Sequence, residues 1–117
     1  MQTTTYIVAE QHNNIGFYAK IELSCVINTG KETEISIPQA FKRWDAAIRF
    51  GVTIFIEQHL KSRDILIHIV EVHAHDVDTN SSTMALATYM ALAKSFGWVD
   101  YKSPYFSKEL LAIVFPK

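Results

Sequence analysis

Hydrophobic and polar positions alternate from Phe17 to Ile27 so that Phe17, Ala19, Ile21, Leu23 and Cys25 share one face, the two-residue period of a strand with one buried side. The run Tyr6-Ile7-Val8 predicts an earlier strand. Between the two, Gln11 to Gly16 carries the Asn and Gly residues that tolerate positive φ, so a hairpin with an exposed tip is expected. A second turn at Asn28-Thr29-Gly30-Lys31 precedes Glu32 to Ile37, where Ile35 and Ile37 alternate with polar neighbours as in a third strand. The period then changes at Pro38, a residue that suits a helix's first turn. From there to about Leu60, Phe41, Trp44, Ile48, Val52, Phe55 and Ile56 form the stripe of an amphipathic helix. Gly51 inside that stripe costs about 1 kcal/mol relative to Ala, so either the helix kinks there or a neighbouring backbone packs close.

Ile65 to Val72 is the most strand-like stretch, rich in Ile, Val and Leu, and predicts a central strand running into His73-Ala74-His75-Asp76-Val77-Asp78. Asp78 to Ser82 offers several N-caps for an Ala-rich helix from Thr83 to Phe96, closed by Gly97. The small side chains of Ala85, Ala87, Ala91 and Ala93 let this helix pack close to a sheet or to the first helix. After Pro104, Leu110 to Phe115 has the residues of a last strand, ended by Pro116 and expected at a sheet edge. The order predicts an α+β fold with two helices on one face of a four- or five-stranded sheet.

With 117 residues, 49% of them hydrophobic and 20% charged, the chain is expected to form one domain spanning residues 1–117. That length buries roughly two thirds of the unfolded surface, enough for a core without metal or disulfide staples. A formal net charge of -1 supplies no global field toward nucleic acid or an anionic membrane, so RNA binding needs a local polar or basic patch. Cys25 is the single cysteine, which excludes intramolecular disulfides and Cys-rich zinc sites and fits a role as buried filler in a reducing compartment. Met1 to Glu10 lacks the pattern of a secretory leader, and no apolar run approaches the roughly 20 residues that span a bilayer. The expected location is cytoplasmic, without membrane attachment.

Candidate chemistry centres on the histidines. In an extended strand His73 and His75 point to one side, so a metal could take both imidazoles with Asp78, or a distant His12, as a third ligand. The spacing follows no two-histidine helix pattern and no Cys/His zinc pattern. The plainer alternative is a strand end leading into a polar loop, with Asp76 or Asp78 bonding loop amides or assisting the next helix N-terminus. His68 lies between Ile67 and Ile69 as a strand histidine, and His59 falls in a polar helix end. No phosphate-binding loop, dinucleotide fingerprint or serine nucleophile elbow is present. Lys42, Arg43, Arg49, Lys61 and Arg63 are interleaved with Asp45, Glu57 and Asp64, the composition of a solvated face.

Two segments resemble domain IV of the translation elongation factor G family. Gly16-Phe17-Tyr18-Ala19-Lys20-Ile21 is similar to the family's Gly-Gln-Tyr-Gly-x-Val, where a glycine-rich tip loop enters a strand. His75-Asp76-Val77-Asp78-Thr79 is similar to its His-Asp/Glu-Val-Asp-Ser run, followed by an Ala-rich helix ending at Ser95-Phe96. Between them, Ile37-Pro38 and the stretch through Ala46, Ala47, Ile48 and Gly51 resemble the family's Ile-Pro and the helix after it. The order matches over roughly positions 6 to 97. Where the family loop reads Gly-Gly-Arg-Gly, this chain has His12-Asn13-Asn14-Ile15-Gly16, and no GTPase motif accompanies it.

The resemblance implies a ribosomal protein S5 domain 2-like fold with the two loops side by side at one tip. It also implies a non-catalytic domain, with no cofactor, that contacts RNA at the ribosome. His12, Asn13, Asn14, Gly16, Lys20, His73, His75, Asp76 and Asp78 are then the expected tip residues, polar groups able to bond phosphates and 2′-hydroxyls, with histidine able to stack on a base. Two other classes compete. One is a small enzyme or metal-binding protein using His73, His75 and Asp78, with an Asp orienting an imidazole. The other is a protein-interaction domain, including a homodimer through a free strand edge or through Trp98, Tyr101, Tyr105 and Phe106.

Overall fold

The computed structural model describes residues 3–12, 15–27, 32–59, 65–75, 79–97, 105–107 and 112–114. Strands β1 (Thr4–His12) and β2 (Ile15–Ile27) form the expected antiparallel hairpin, in register from Thr4 opposite Leu23 to His12 opposite Ile15. Both run further toward the turn than the apolar pattern alone marks, and Asn13 and Asn14 lie outside the described residues. Strand β3 (Glu34–Ser36) is short and pairs in parallel with β4 (Ile65–His73), which in turn pairs antiparallel with β2. The sheet order is β1-β2-β4-β3.

The connection from β3 to β4 holds the first helix, as a parallel pair requires. Its start departs from expectation: Gln39–Trp44 winds as a 3-10 segment, and the α-helix α1 begins only at Asp45 and ends at His59. Pro38 sits just before the segment with extended backbone and no side-chain cap. On the solvent side of α1, Arg49 pairs with Asp45 one turn back at 2.9 Å, in keeping with a solvated charged face.

Helix α2 (Ser81–Ser95) is capped by Asn80, whose Oδ1 accepts from the Thr83 backbone N–H at 2.8 Å and from the Thr83 hydroxyl at 2.9 Å. It ends at Phe96, with Gly97 beyond in the left-handed region at φ 88°. Every residue from Thr83 to Ala93 is buried. A helix apolar on all sides belongs in the middle of a structure, and α2 packs against β1 and β2, against α1, and against a C-terminal strand. Thr88, inside this layer, satisfies its hydroxyl on the Met84 carbonyl at 2.9 Å.

Gly51 answers the choice between kink and close packing. A Cβ there would lie 2.5 Å from the Ala85 carbonyl oxygen and 3.0 Å from the Thr88 Cβ, so α1 and α2 approach backbone to backbone at this point. Phe55 then fills the adjoining space, edge-on to Tyr89 at 5.6 Å and stacked on Phe96 at 5.7 Å. Together with Ala19, Ile21 and Leu23 from β2 and Ile65, Ile67 and Ile69 from β4, these residues form the core.

The four-stranded mixed sheet with two helices is the α+β architecture that the patterning predicts. The C-terminal end differs as well. The last strand, β6 (Ala112–Val114), is no edge of this sheet but pairs antiparallel with β5 (Tyr105–Ser107) in a separate two-stranded sheet. Cys25 is half-buried rather than fully so, and burial pushes its thiol pKa up, partly offset by a hydrogen bond with Ser95. No helix among the described residues is long and apolar enough to cross a membrane.

Candidate nucleic-acid interface

On β2 the odd positions Phe17, Ala19, Ile21 and Leu23 point into the core, so the even positions Tyr18, Lys20 and Glu22 line the opposite face of the sheet. The facing strand β4 needs a correction to deliver its polar residues to that same face. Alternation begun at Ile65, Ile67 and Ile69 would turn Glu71 and His73 inward. Instead the register shifts between Glu22 and Leu23: Leu23 lies opposite Ile69 and Glu22 opposite Glu71, leaving Val70 as an extra residue. This β-bulge turns Val72 into the core and leaves Glu71 and His73 exposed. Lys20 is the register partner of His73.

Beyond the end of β4, the Thr79 hydroxyl ties the chain to β2. Thr79 is buried, its Oγ1 donating to the Tyr18 carbonyl at 2.5 Å and accepting from the His75 backbone N–H at 2.7 Å. The Thr79 backbone N–H donates back to the His75 carbonyl at 2.9 Å. These bonds set the His75 ring flat against Tyr18, with centroids 4.0 Å apart and planes 8° from parallel. His75 is exposed, so the stacked pair stands at the surface with Lys20 next on β2.

The hairpin extends past this point. Beyond Tyr18, β2 continues to Ile15, still paired with β1, whereas β4 ends at His73. At about 3.3 Å per residue the hairpin end projects roughly 10 Å beyond the Tyr18–His75 pair. His12 and Ile15, where the hairpin strands end, thus lie at the same end of the sheet as His73, where β4 ends.

Of the predicted site residues, Lys20, His73 and His75 are brought to one face. Gly16 lies opposite Gln11 and His12 opposite Ile15 at the projecting end. Asn13, Asn14, Asp76 and Asp78 fall outside the described residues, as do Trp98 and Tyr101. The idea of a shared strand period aiming His73 and His75 at one ligand does not hold, because β4 stops at His73 and the two side chains take different partners. His73 Nε2 lies 3.3 Å from Glu71 Oε1, while His75 stacks on Tyr18. Among the described residues no three His, Cys, Asp or Glu side chains are grouped to hold a metal ion, so the metal reading of His73 and His75 gains no support.

Two residues that organise the site, Tyr18 and Thr79, carry no individual role in the sequence reading. Tyr18 is signalled by its parity, since the period that buries Phe17 and Ala19 places it beside Lys20. Thr79 gives no comparable signal: it reads as one of several N-caps, and the cap is in fact Asn80.

No protein-family model matches the chain, and no curated protein does. Among solved structures it is similar to a protein of Thermus thermophilus, with a TM-score of 0.65 and 15% sequence identity. The likeness covers 79% of this chain and 15% of the other, so the chain spans a small part of that neighbour's length. At this identity what the two share is the fold.

Proposed function

We propose that residues 1–117 are a single non-catalytic domain that contacts RNA, as in the ribosome, through the end of the sheet bearing Tyr18, Lys20, His73 and His75. The observation that carries the reading is the Tyr18–His75 stack, a flat aromatic surface at 4.0 Å spacing held by Thr79 and exposed beside a lysine. Unpaired bases stack on such surfaces, while ammonium and imidazole groups bond phosphates and 2′-hydroxyls. The resemblance to elongation factor G domain IV supports the same assignment, because its two motifs fall on this stack: Tyr18 from the first and His75 from the second. A projecting hairpin end beside it, carrying Gly16 and His12, suits a tip that enters a recess. Asn13, Asn14, Asp76 and Asp78 complete the proposed tip.

The patch also explains how a chain of net charge -1 could bind a polyanion. Lys20 and the two histidines stand toward the tip, and the facing carboxylates Glu22 and Glu71 lie one step further along the strands. Titrating a labelled single-stranded RNA across a salt series tests the reading. Affinity should fall with salt, and Lys20→Ala should flatten the logarithmic slope by about 0.7, the loss of one phosphate contact. Tyr18→Ala should weaken binding about tenfold, as for one lost stacking partner. Salt-independent binding, or binding untouched by either substitution, contradicts it.

A further inference from the structure

Strand β1 stands at one edge of the sheet, and its nine residues make it far longer than the other edge strand, β3, with three. A long open edge presents a row of unpaired amides and carbonyls, which proteins normally blunt. Here the blunting is confined to one end. Lys94 reaches around from α2 to donate to the Thr5 carbonyl at 3.1 Å, and Ser95 donates to the Thr4 hydroxyl at 2.7 Å. The register closes with His12 opposite Ile15 across two intervening residues, a hydrogen-bonded pair in such hairpins, so by alternation the Thr5 carbonyl faces away from β2, where Lys94 meets it. By the alternation of an antiparallel ladder, the outward-facing backbone groups of β1 then belong to Thr5, Ile7, Ala9 and Gln11. Thr5 is occupied by the lysine; among the described residues no side chain covers the outward edge at Ile7, Ala9 or Gln11, and all three side chains are exposed.

We infer that this open stretch is a homodimerisation edge, pairing antiparallel with β1 of a second copy about a two-fold axis at Ala9. The choice of a second copy rests on self-complementarity. Three consecutive outward-facing residues have one midpoint, so Ala9 opposes the partner's Ala9, and Ile7 opposes the partner's Gln11, each as a hydrogen-bonded pair. Moving the axis to Val8 or to Ile7 sets Thr5 in the ladder, where Lys94 stands in the way. Moving it to Gln11 carries Ile7 past the end of the hairpin. The Ala9 register also places Glu10 opposite the partner's Val8, so the two acidic residues are not paired directly.

Further, Ile7 is 51% exposed, the most exposed of the large hydrophobic side chains among the described residues, and it lies on this stretch. The dimer would carry a continuous eight-stranded sheet, with each Lys94 marking where the shared ladder stops. Such strand addition relies on main-chain bonds over a small area, so the association is expected to be weak, roughly in the micromolar range. It is independent of the RNA reading, since it places no demand on Lys20, His73 or His75.

Sedimentation equilibrium of the full chain over a concentration series tests the inference. The wild type should pass from monomer to dimer. Ala9→Pro removes an outward-facing N–H that has no role in the β1–β2 ladder, and proline is tolerated on such an edge, so this variant should remain monomeric with an unchanged circular dichroism spectrum. Lys94→Ala uncovers the Thr5 carbonyl and should tighten the dimer at least about threefold, a readout that stands even if the proline variant does not fold. A wild type that is monomeric up to roughly millimolar concentration overturns the inference. So does a dimer indifferent to both substitutions, which would have its interface elsewhere.

Discussion

The two faces of β2 are made from alternate residues of one strand, yet they differ in kind. Phe17, Ala19, Ile21 and Leu23 are sealed beneath a helix with eleven consecutive buried residues, whereas Tyr18, Lys20 and Glu22 share the outer face with Glu71 and His73 and meet the surface stack of His75. The inner face is fixed by shape: small residues let α2 close on the sheet, and one glycine lets α1 close on α2. The outer face is fixed by a bulge and a hydroxyl, which aim polar groups without burying them. The lesson is that stability and proposed binding are interleaved at a period of two, and single substitutions should separate them cleanly.

The most severe way to break the contrast is to delete Val72. If the bulge at Val70 stays, His73 then takes the inward place of Val72; if it is lost, Glu71 turns into the core instead. Burying either polar side chain costs several kcal/mol, a large share of the roughly 5–15 kcal/mol that holds a domain together. Thermal unfolding followed by near-ultraviolet circular dichroism should show no cooperative transition; a native-like transition would show that the inward place of Val72 tolerates a polar side chain.

Next in size is Gly51→Val, which forces a branched side chain against the Ala85 carbonyl that already stands 2.5 Å from an added Cβ. Urea unfolding should report a loss of about 1–3 kcal/mol, with RNA affinity unchanged in the fraction that remains folded. A neutral or stabilising result would mean that α1 and α2 do not meet backbone to backbone. Asn80→Ala should cost less, about 1 kcal/mol, through loss of the cap on Thr83. Thermal melts of this variant against Asn80→Ser, which restores a capping oxygen, isolate the hydrogen bond from the rest of the side chain.

Much of the inner half is legible in the sequence because its period is uniform. The alternation of β2, the stripe from Phe41 to Ile56, and the Ala-rich run between a polar cap and Gly97 each state their own element. Gly51 announces either a kink or a close approach, and only the position of Ala85 decides between them. The 3-10 winding of Gln39–Trp44 is not legible, since three- and four-residue spacings serve both helix types over a single turn. Nor is the pairing of β6 with β5, because a three-residue strand carries no mark of its partner.

The outer half is harder to read, for a different reason. A bulge is one unpaired residue, and nothing in Ile69-Val70-Glu71-Val72 tells which residue is extra until the partner strand supplies the register. The histidine-rich run is visible as a cluster, but the cluster is not a unit: His73 turns to Glu71 and His75 to Tyr18, fifty-seven positions earlier in the chain. Long-range contacts of this kind come from topology, not from local pattern. The family resemblance points to both partners of the stack without showing that they touch.

The smallest effect on stability belongs to His75→Ala, an exposed side chain whose removal should change unfolding free energy by no more than about 0.5 kcal/mol. Its effect on binding should be the most direct. Co-sedimentation of the protein with small ribosomal subunits across a salt series, wild type beside His75→Ala, tests the central claim that this end of the sheet contacts RNA. The account predicts pelleting that declines steeply with salt and is lost or sharply weakened in the variant. Equal pelleting of the two proteins, or none from the wild type at low salt, would contradict it.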